Sequence, residues 1–205
     1  RDDNMKPLYM IGCINEIGER QKADNVSGLL GESGFREYMN QLDTPLETGY
    51  LLRIGIDHFK EINDNFGQEY GDFVLKKSAE CISGCISEGQ KVYKLVADEF
   101  LILDVSSDEA KDADKLYDKV REAIDRFIET NEFKVMYTVS GGIVPFAALK
   151  GNQYAEALKL TDFTLNEAKK LGRNRCYIFN GETYRKFLRK REITQELREA
   201  VINGF

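Results

Sequence analysis

Three places in this 205-residue chain set polar side chains where they can act together. Asn63 and Asp72 put an amide and a carboxylate on either side of a break between a short helix and a longer one. A carboxylate only accepts hydrogen bonds and an amide serves either side, so the pair can read a ring edge that offers both donors and acceptors. Asn63 equally suits a helix cap, and Asp72 an acid near a helix N-terminus. Asp98 and Glu99 are adjacent acids in Lys94-Leu95-Val96-Ala97-Asp98-Glu99-Phe100, which by itself reads as an amphipathic loop. Lys169 and Arg173 stand four residues apart at a helix end. They can reach one anionic group together, or simply complement the helix dipole.

The elements that must position these groups alternate. Residues 8–17 are apolar and β-rich and read as a strand, and 19–24 read as a short helical connector. Residues 34–42 read as a helix and 50–56 as a strand carrying Leu51, Leu52, Ile54 and Ile56. A helix over 68–86 presents Phe73, Val74, Ala79, Ile82 and Ile86 as an apolar stripe. Short strands over 92–95 and 100–105 flank a tight hairpin. Ser107-Asp108-Glu109 opens a helix whose face is Leu116, Val120, Ile124 and Phe127. A strand over 135–144 ends near Pro145, a helix over 152–171 ends at Gly172, a last strand covers 175–179, and a charged helix covers 182–201. This order predicts an α/β (α+β sandwich) fold, with a central mixed sheet flanked by helices.

Composition narrows the function classes. Apolar residues make up 42% and charged residues 31%, as in folded soluble domains. The formal net charge of −6 argues against general nucleic-acid binding, which needs a basic face. No apolar run is long enough to span a membrane. Arg1-Asp2-Asp3-Asn4 lacks the basic start and apolar core of a signal peptide, so the cytoplasm is the expected location. A start at Arg rather than Met suggests a piece of a longer chain. Cys13, Cys81, Cys85 and Cys176 contain no CxxC pair, and one histidine, His58, cannot complete a zinc set. Cys81 and Cys85, four apart on a helix, read as small buried apolar groups.

Four segments occur in one order and together resemble the GGDEF domain, the diguanylate cyclase fold with its nucleotidyl-cyclase-like palm. Asp24-Asn25-Val26-Ser27-Gly28-Leu29 is similar to the opening Asp-x-Leu-Thr-Gly-Leu, though by itself it reads equally as a turn between helices. The segment 56–72, with Asp57-His58-Phe59-Lys60-Glu61-Ile62-Asn63-Asp64-Asn65-Phe66-Gly67 and Gly71-Asp72, follows the family's Asp-x-Asp-x-Phe-Lys-x-Ile-Asn-Asp-x-Phe-Gly-His-x-x-Gly-Asp. Residues 94–100 align with Arg-Tyr-Gly-Gly-Asp-Glu-Phe, and 165–174 with Leu-Tyr-x-Ala-Lys-x-x-Gly-Arg-Asn. The resemblance implies that Asn63 and Asp72 read guanine and that Lys169 and Arg173 contact the triphosphate of GTP. It further implies magnesium on Asp98 and on the first Asp of Asp-x-Asp, with Glu99 in the catalytic hairpin.

The chain departs from that pattern at the chemistry. Gly55 stands at the first metal-ligand position. Asp57 shares its strand face but lies roughly 6–7 Å further along, too far to replace it. Val96-Ala97 replaces the two signature glycines, and a β-branched Val in such a turn is expected to be strained by about a kcal/mol. The stretch Ser87-Glu88-Gly89-Gln90 lacks the Arg-x-x-Asp of the family's product-inhibition site. The resemblance therefore implies a degenerate GGDEF domain over 24–180 with regulatory rather than catalytic work. Residues 1–23 resemble the end of a PAS sensor domain with its linker, and 181–205 a helix leading toward an EAL phosphodiesterase domain, or an ordinary solvated helix. GTP, with magnesium accompanying it, and the adjacent PAS and EAL domains are the implied ligand and partners. The alternative is an active cyclase joining two GTP molecules across a homodimer; a pure interaction module is the third reading.

Overall fold

The segment Tyr-Leu-Leu-Arg-Ile-Gly-Ile is rich in large apolar and β-branched residues, and it forms the strand at the middle of the fold. The computed structural model describes residues 23–42, 46–107, 110–130, 135–150 and 154–202. The strand expected over 8–17 lies outside them, as does most of the connector over 19–24. Ala23, the first described residue, is not helical but bridges Leu30.

The described strands are β1 (Leu30–Gly31), β2 (Tyr50–Ile56), β3 (Gln90–Lys94), β4 (Glu99–Asp104), β5 (Val139–Pro145) and β6 (Cys176–Ile178). They form one sheet in the order β1-β3-β4-β2-β5-β6. The β1–β3 and β5–β6 pairs are parallel and the others antiparallel, so the sheet is mixed, as expected. The helices are α1 (Glu32–Asn40), α2 (Phe59–Phe66), α3 (Gln68–Cys85), α4 (Ala110–Thr130), α5 (Tyr154–Lys170) and α6 (Gly181–Ile202).

Strand alternation divides the core in two. Tyr50, Leu52, Ile54 and Ile56 of β2 pack with Val74, Ala79 and Ile82 of α3 and Leu116, Val120 and Ile124 of α4. Leu51 of β2, with Leu101 and Leu103 of β4, packs with Phe35 and Met39 of α1 and Ala157 and Leu160 of α5. The result is a sheet between two helical layers. Burying these side chains supplies the main stabilisation, at about 1.5–3 kcal/mol for each large one.

Two expectations for α3 need correction. Phe73 is 42% exposed, and Ile86 caps the helix rather than lining its face. The 100° step per residue puts the buried stripe on Val74, Leu75, Ser78, Ala79, Ile82 and Cys85, one position on from Phe73. Cys85 is buried and Cys81 half-buried. Burial raises both thiol pKa values, consistent with packing groups. The β5 strand begins at Val139 rather than 135, although Tyr137 is already buried.

Close approach of α5 to the sheet depends on Gly142. A methyl group there would sit 2.4 Å from the backbone nitrogen of Leu165 and 2.5 Å from Oγ1 of Thr164. This contact fixes the height of α5 above β2 and sets where its last turn, with Lys169, meets the strand. Among the described residues, no helix is long and apolar enough to cross a membrane.

Candidate functional site

The acidic hairpin is the tip between β3 and β4. The Leu95 amide donates to Glu99 O at 2.9 Å, and the Glu99 amide donates to Val96 O at 3.3 Å. The positive φ of the turn, +55°, falls on Ala97 and not on Val96, which is 70% exposed. The strain expected at Val96 therefore rests on Ala97 instead. A left-handed backbone pushes any Cβ toward the following carbonyl, whether or not the side chain is branched. Beneath the turn lies Lys94, 5% exposed. Its ammonium donates to Leu95 O at 3.0 Å and to Ala97 O. Burial lowers its pKa, opposed by Asp24, Asp98 and Glu99. Burial raises the pKa of the Asp98 carboxyl; Glu99 adds to the rise, while Lys169 and Lys94 oppose it.

Gly55 pairs across the sheet with Glu99, so those two positions share the face covered by α5. Where a carboxylate would emerge from residue 55 the structure places a cation. A Cβ on Gly55 would lie 3.1 Å from Nζ of Lys169 and 3.2 Å from Cδ2 of Leu165. Lys169 Nζ is also 3.8 Å from Oε1 of Glu99. The second oxygen of Glu99, Oε2, accepts from Nε of Arg53 at 2.7 Å and pairs with Nη2 of the same guanidinium. Arg53 also donates to Leu158 O at 3.3 Å and stands 3.6 Å from Asp162 Oδ1. Arg53 belongs to none of the motifs in the sequence. Its signal was a lone charge in an apolar strand, two residues before Gly55 and so on the same face.

Asn63 lies inside α2 rather than at its cap, and its carbonyl accepts from the Gly67 amide at 2.9 Å, where the chain turns into α3. Its Oδ1 is packed so tightly on α3 that a Cβ on Gly71 would be 1.8 Å away. Oδ1 is buried and has no hydrogen-bond partner among the described residues. Asp72, half-buried, follows Gly71 in the first turns of α3. The two residues are thus carried by one tight α2–α3 corner, with an orphaned acceptor in it.

Lys169 lies in the last turn of α5, but Arg173 lies beyond it, exposed and with φ +61°. The turn at Gly172 takes Arg173 off the helix face, so the two cations do not share a helical ridge. What holds the segment after α5 is Asp57. Its carboxylate accepts from Thr138 Oγ1 and Ser140 Oγ, both at 2.8 Å, and from the Asn174 amide at 3.1 Å. Asp57 is therefore a structural tie between β5 and residues 172–174.

Asp24 accepts from the amide and hydroxyl of Ser27 at 2.8 and 2.7 Å, closing the turn at Gly28 that precedes β1. Burial would raise its pKa, but the Ser27 hydrogen bonds and Lys94 outweigh it and hold the carboxyl low. Gln90 Nε2 donates to Asp104 Oδ2 at 2.6 Å, and its Oε1 accepts from the Ser87 backbone amide at 2.9 Å. A cleft of about 500 Å³ lined by Asp57, His58, Glu61, Asp125, Glu129 and Tyr137 contains none of Asn63, Asp72, Glu99, Lys169 or Arg173. The candidate site is defined instead by the Glu99 contacts with Lys169 and Arg53 and by the α2–α3 corner that carries Asn63 and Asp72.

Comparison with known proteins agrees with this architecture. A family model described as "Diguanylate cyclase, GGDEF domain" matches residues 22–175. The chain is 27% identical over 190 residues to the cyclic di-GMP phosphodiesterase NbdA of Pseudomonas aeruginosa, covering 90% of this chain and 24% of that protein. It is 31% identical over 152 residues to the probable diguanylate cyclase DgcT of Escherichia coli, covering 70% and 32%. The diguanylate cyclase SiaD of Pseudomonas aeruginosa, solved with its activator SiaC, superposes with a TM-score of 0.69 at 24% identity, over 83% of this chain and 67% of that one. The S helix-GGDEF-EAL portion of Vibrio cholerae LapD, bound to c-di-GMP, superposes with a TM-score of 0.67 at 18% identity, over 92% and 46%. The chain spans between 24% and 45% of the length of the first three curated relatives it matches.

Proposed function

Since the chain belongs to the GGDEF family of diguanylate cyclase domains, we propose that it is a catalytically impaired GGDEF module of a cyclic di-GMP signalling protein, one that binds GTP without converting it and regulates an attached phosphodiesterase domain. The observation that carries the reading is the Gly55–Glu99 cross-strand pair, where Lys169 stands at the place of the missing carboxylate. Phosphoryl transfer is mostly positioning plus neutralisation of developing charge, so a cyclase cannot lose an acidic ligand at this position cheaply.

The residues do not fit magnesium. That ion takes near-octahedral oxygen ligands at about 2.0–2.1 Å. Here the Gly55 position offers no side chain, and Glu99, the hairpin acid that pairs with it across the sheet although Asp98 was the expected ligand, is already committed to Arg53 and Lys169. Asp98 remains, with burial disfavouring its charged form.

GTP recognition rests on other residues. The α2–α3 corner that carries both Asn63 and Asp72 supports guanine binding, because a carboxylate accepts the N–H donors of a guanine edge and an amide can serve either side. Arg173 is exposed where a phosphate can meet it. Residues 24–180 would form the module, placed between a PAS-type sensor and an EAL domain in the cytoplasm; the similarity over most of its length to a phosphodiesterase several times longer supports that placement.

Calorimetric titration with GTP, alongside an assay for cyclic di-GMP, tests the proposal. Saturable GTP binding without product is expected. Rapid product formation overturns the impaired reading and favours an active cyclase working as a homodimer. Absence of any GTP binding, with altered phosphodiesterase output when the domain is deleted from the full-length protein, favours a ligand-free interaction module.

A further inference from the structure

A guanidinium in the middle of a central strand has to be explained, because burying it costs free energy unless it is paired. Arg53 is such a group, with a side chain 12% exposed between β4 and β5. Its position follows from strand periodicity. Residues 51, 53 and 55 project toward α5, and on that face Leu51 is core and Gly55 has no side chain, leaving Arg53 free to lean along the strand. The diagonal neighbour on β4 is Glu99, and the guanidinium places Nε and Nη2 on one of its oxygens. Nη1 donates to Leu158 O, and Nη2 also stands 3.6 Å from Asp162 Oδ1 on α5. Lys169 approaches the other Glu99 oxygen. Both oxygens of the hairpin glutamate thus face organic cations.

We propose that Arg53 is a built-in counter-ion that takes the place of a divalent metal at Glu99, so that the site excludes magnesium and manganese, and does so independently of the missing carboxylate at residue 55. The proposal deepens the impaired-cyclase reading and rests on its assignment of the site. The physical case is one of charge and space. A guanidinium stays protonated at every accessible pH, so it cannot yield its place by losing a proton. A divalent ion seated on Glu99 would lie within a few ångströms of both Arg53 and Lys169, and like charges at that range repel strongly. Restoring an acid at position 55 does not remove this obstacle, since the new carboxylate would meet Lys169 first. Gly55 and Arg53 therefore form a matched pair of changes, one removing a ligand and the other supplying the charge that the ligand set would have held.

The test is manganese binding to the whole chain, read by electron paramagnetic resonance of the free ion, in three proteins: native, Gly55→Asp, and Arg53→Leu with Gly55→Asp. The native chain and Gly55→Asp are expected to bind only weakly and non-specifically. The double variant is expected to bind about tenfold tighter or more, and Glu99→Gln added to it should abolish the gain. Native or Gly55→Asp protein that binds manganese in a way lost with Glu99→Gln overturns the proposal. So does a folded double variant that binds no better than Gly55→Asp. If circular dichroism shows the double variant unfolded, Gly55→Asp with and without Glu99→Gln decides: Glu99-dependent binding overturns, and its absence supports. Manganese on Glu99 in a chain that makes no cyclic di-GMP would overturn this inference alone, whereas product from the native chain would overturn the functional reading.

Discussion

The Asp57 carboxylate accepts a hydrogen bond from the backbone amide of Asn174, 117 residues later in the chain. Arg173 and Asn174 both have positive φ, +61° and +48°; asparagine adopts this backbone readily, but an arginine does so at a cost that the surroundings must meet. Thr138 and Ser140 complete the acceptor set of the same carboxylate. The end of β2 thus holds the exit of α5 in the shape that presents Arg173.

Asp57→Ala is expected to cost about 3 kcal/mol of stability, since three donors to a buried charged group lose their acceptor at once. Asp57→Asn should cost less, because it keeps one acceptor oxygen. Chemical denaturation measures the loss. Hydrogen exchange at the Asn174 amide locates it: faster exchange there, ahead of the core strands, is the expected pattern. Unchanged protection of Asn174 in the alanine variant would show that Asp57 does not hold the turn.

Gly71→Ala should weaken GTP binding by about tenfold or more, about 1.4 kcal/mol. Its methyl group would lie 1.8 Å from Asn63 Oδ1, so the amide must rotate away from its place against α3. Calorimetry with GTP and thermal denaturation should be read together. Affinity lost beyond what the melting temperature explains identifies displacement of Asn63, and Asn63→Ala should then add little to Gly71→Ala.

The fold could be read in the sequence wherever hydrophobic periodicity is strong. The strand over 50–56 matches β2, and the stripe of α3 was displaced by only one residue because Phe73 sits beside the buried face. Boundaries moved where side-chain pattern does not decide pairing: Tyr137 is buried like a strand residue yet precedes the first ladder pair of β5. The site was partly legible. Gly55 and the hairpin acids stood out by comparison with a known pattern. The partners of Asp57 did not, since Thr138, Ser140 and Asn174 come from distant elements and polar residues at a strand end carry no periodic signal. Arg53 could have been found, because a charge in an otherwise apolar central strand demands a partner on its own face.

Ala97→Gly should stabilise the protein. Ala97 occupies the left-handed turn position at +55°, where glycine adopts the same backbone without a Cβ clash. The expected gain is about 0.5–1 kcal/mol, or about 2 °C in Tm. Val96→Gly should give no such gain, because Val96 has an ordinary backbone and projects into solvent. Neither change should yield cyclic di-GMP, since both leave Gly55 and the Arg53–Glu99 pair untouched. A larger gain from Val96→Gly than from Ala97→Gly would place the turn strain at the wrong residue.

Asp104 should make the fold acid-sensitive. It is fully buried at the end of β4, where burial favours its neutral form, yet hydrogen bonds from the side chain of Gln90 and the hydroxyl and amide of Ser106 outweigh that and hold its pKa down to about 2. The unfolded chain titrates this group near 3.9. A pKa that is lower in the folded state means the unfolded chain takes up the proton first, so acid favours unfolding. The contribution, about 2 kcal/mol, is therefore complete above about pH 4 and disappears as pH falls toward 2. Asp104→Asn should be less stable than the native chain at pH 7, and the difference should narrow steadily between pH 4 and 2 in urea titrations. A difference that stays constant across that window would mean that the charge of Asp104 does not hold the Ser106–Ser107 turn against Gln90, and that packing alone does.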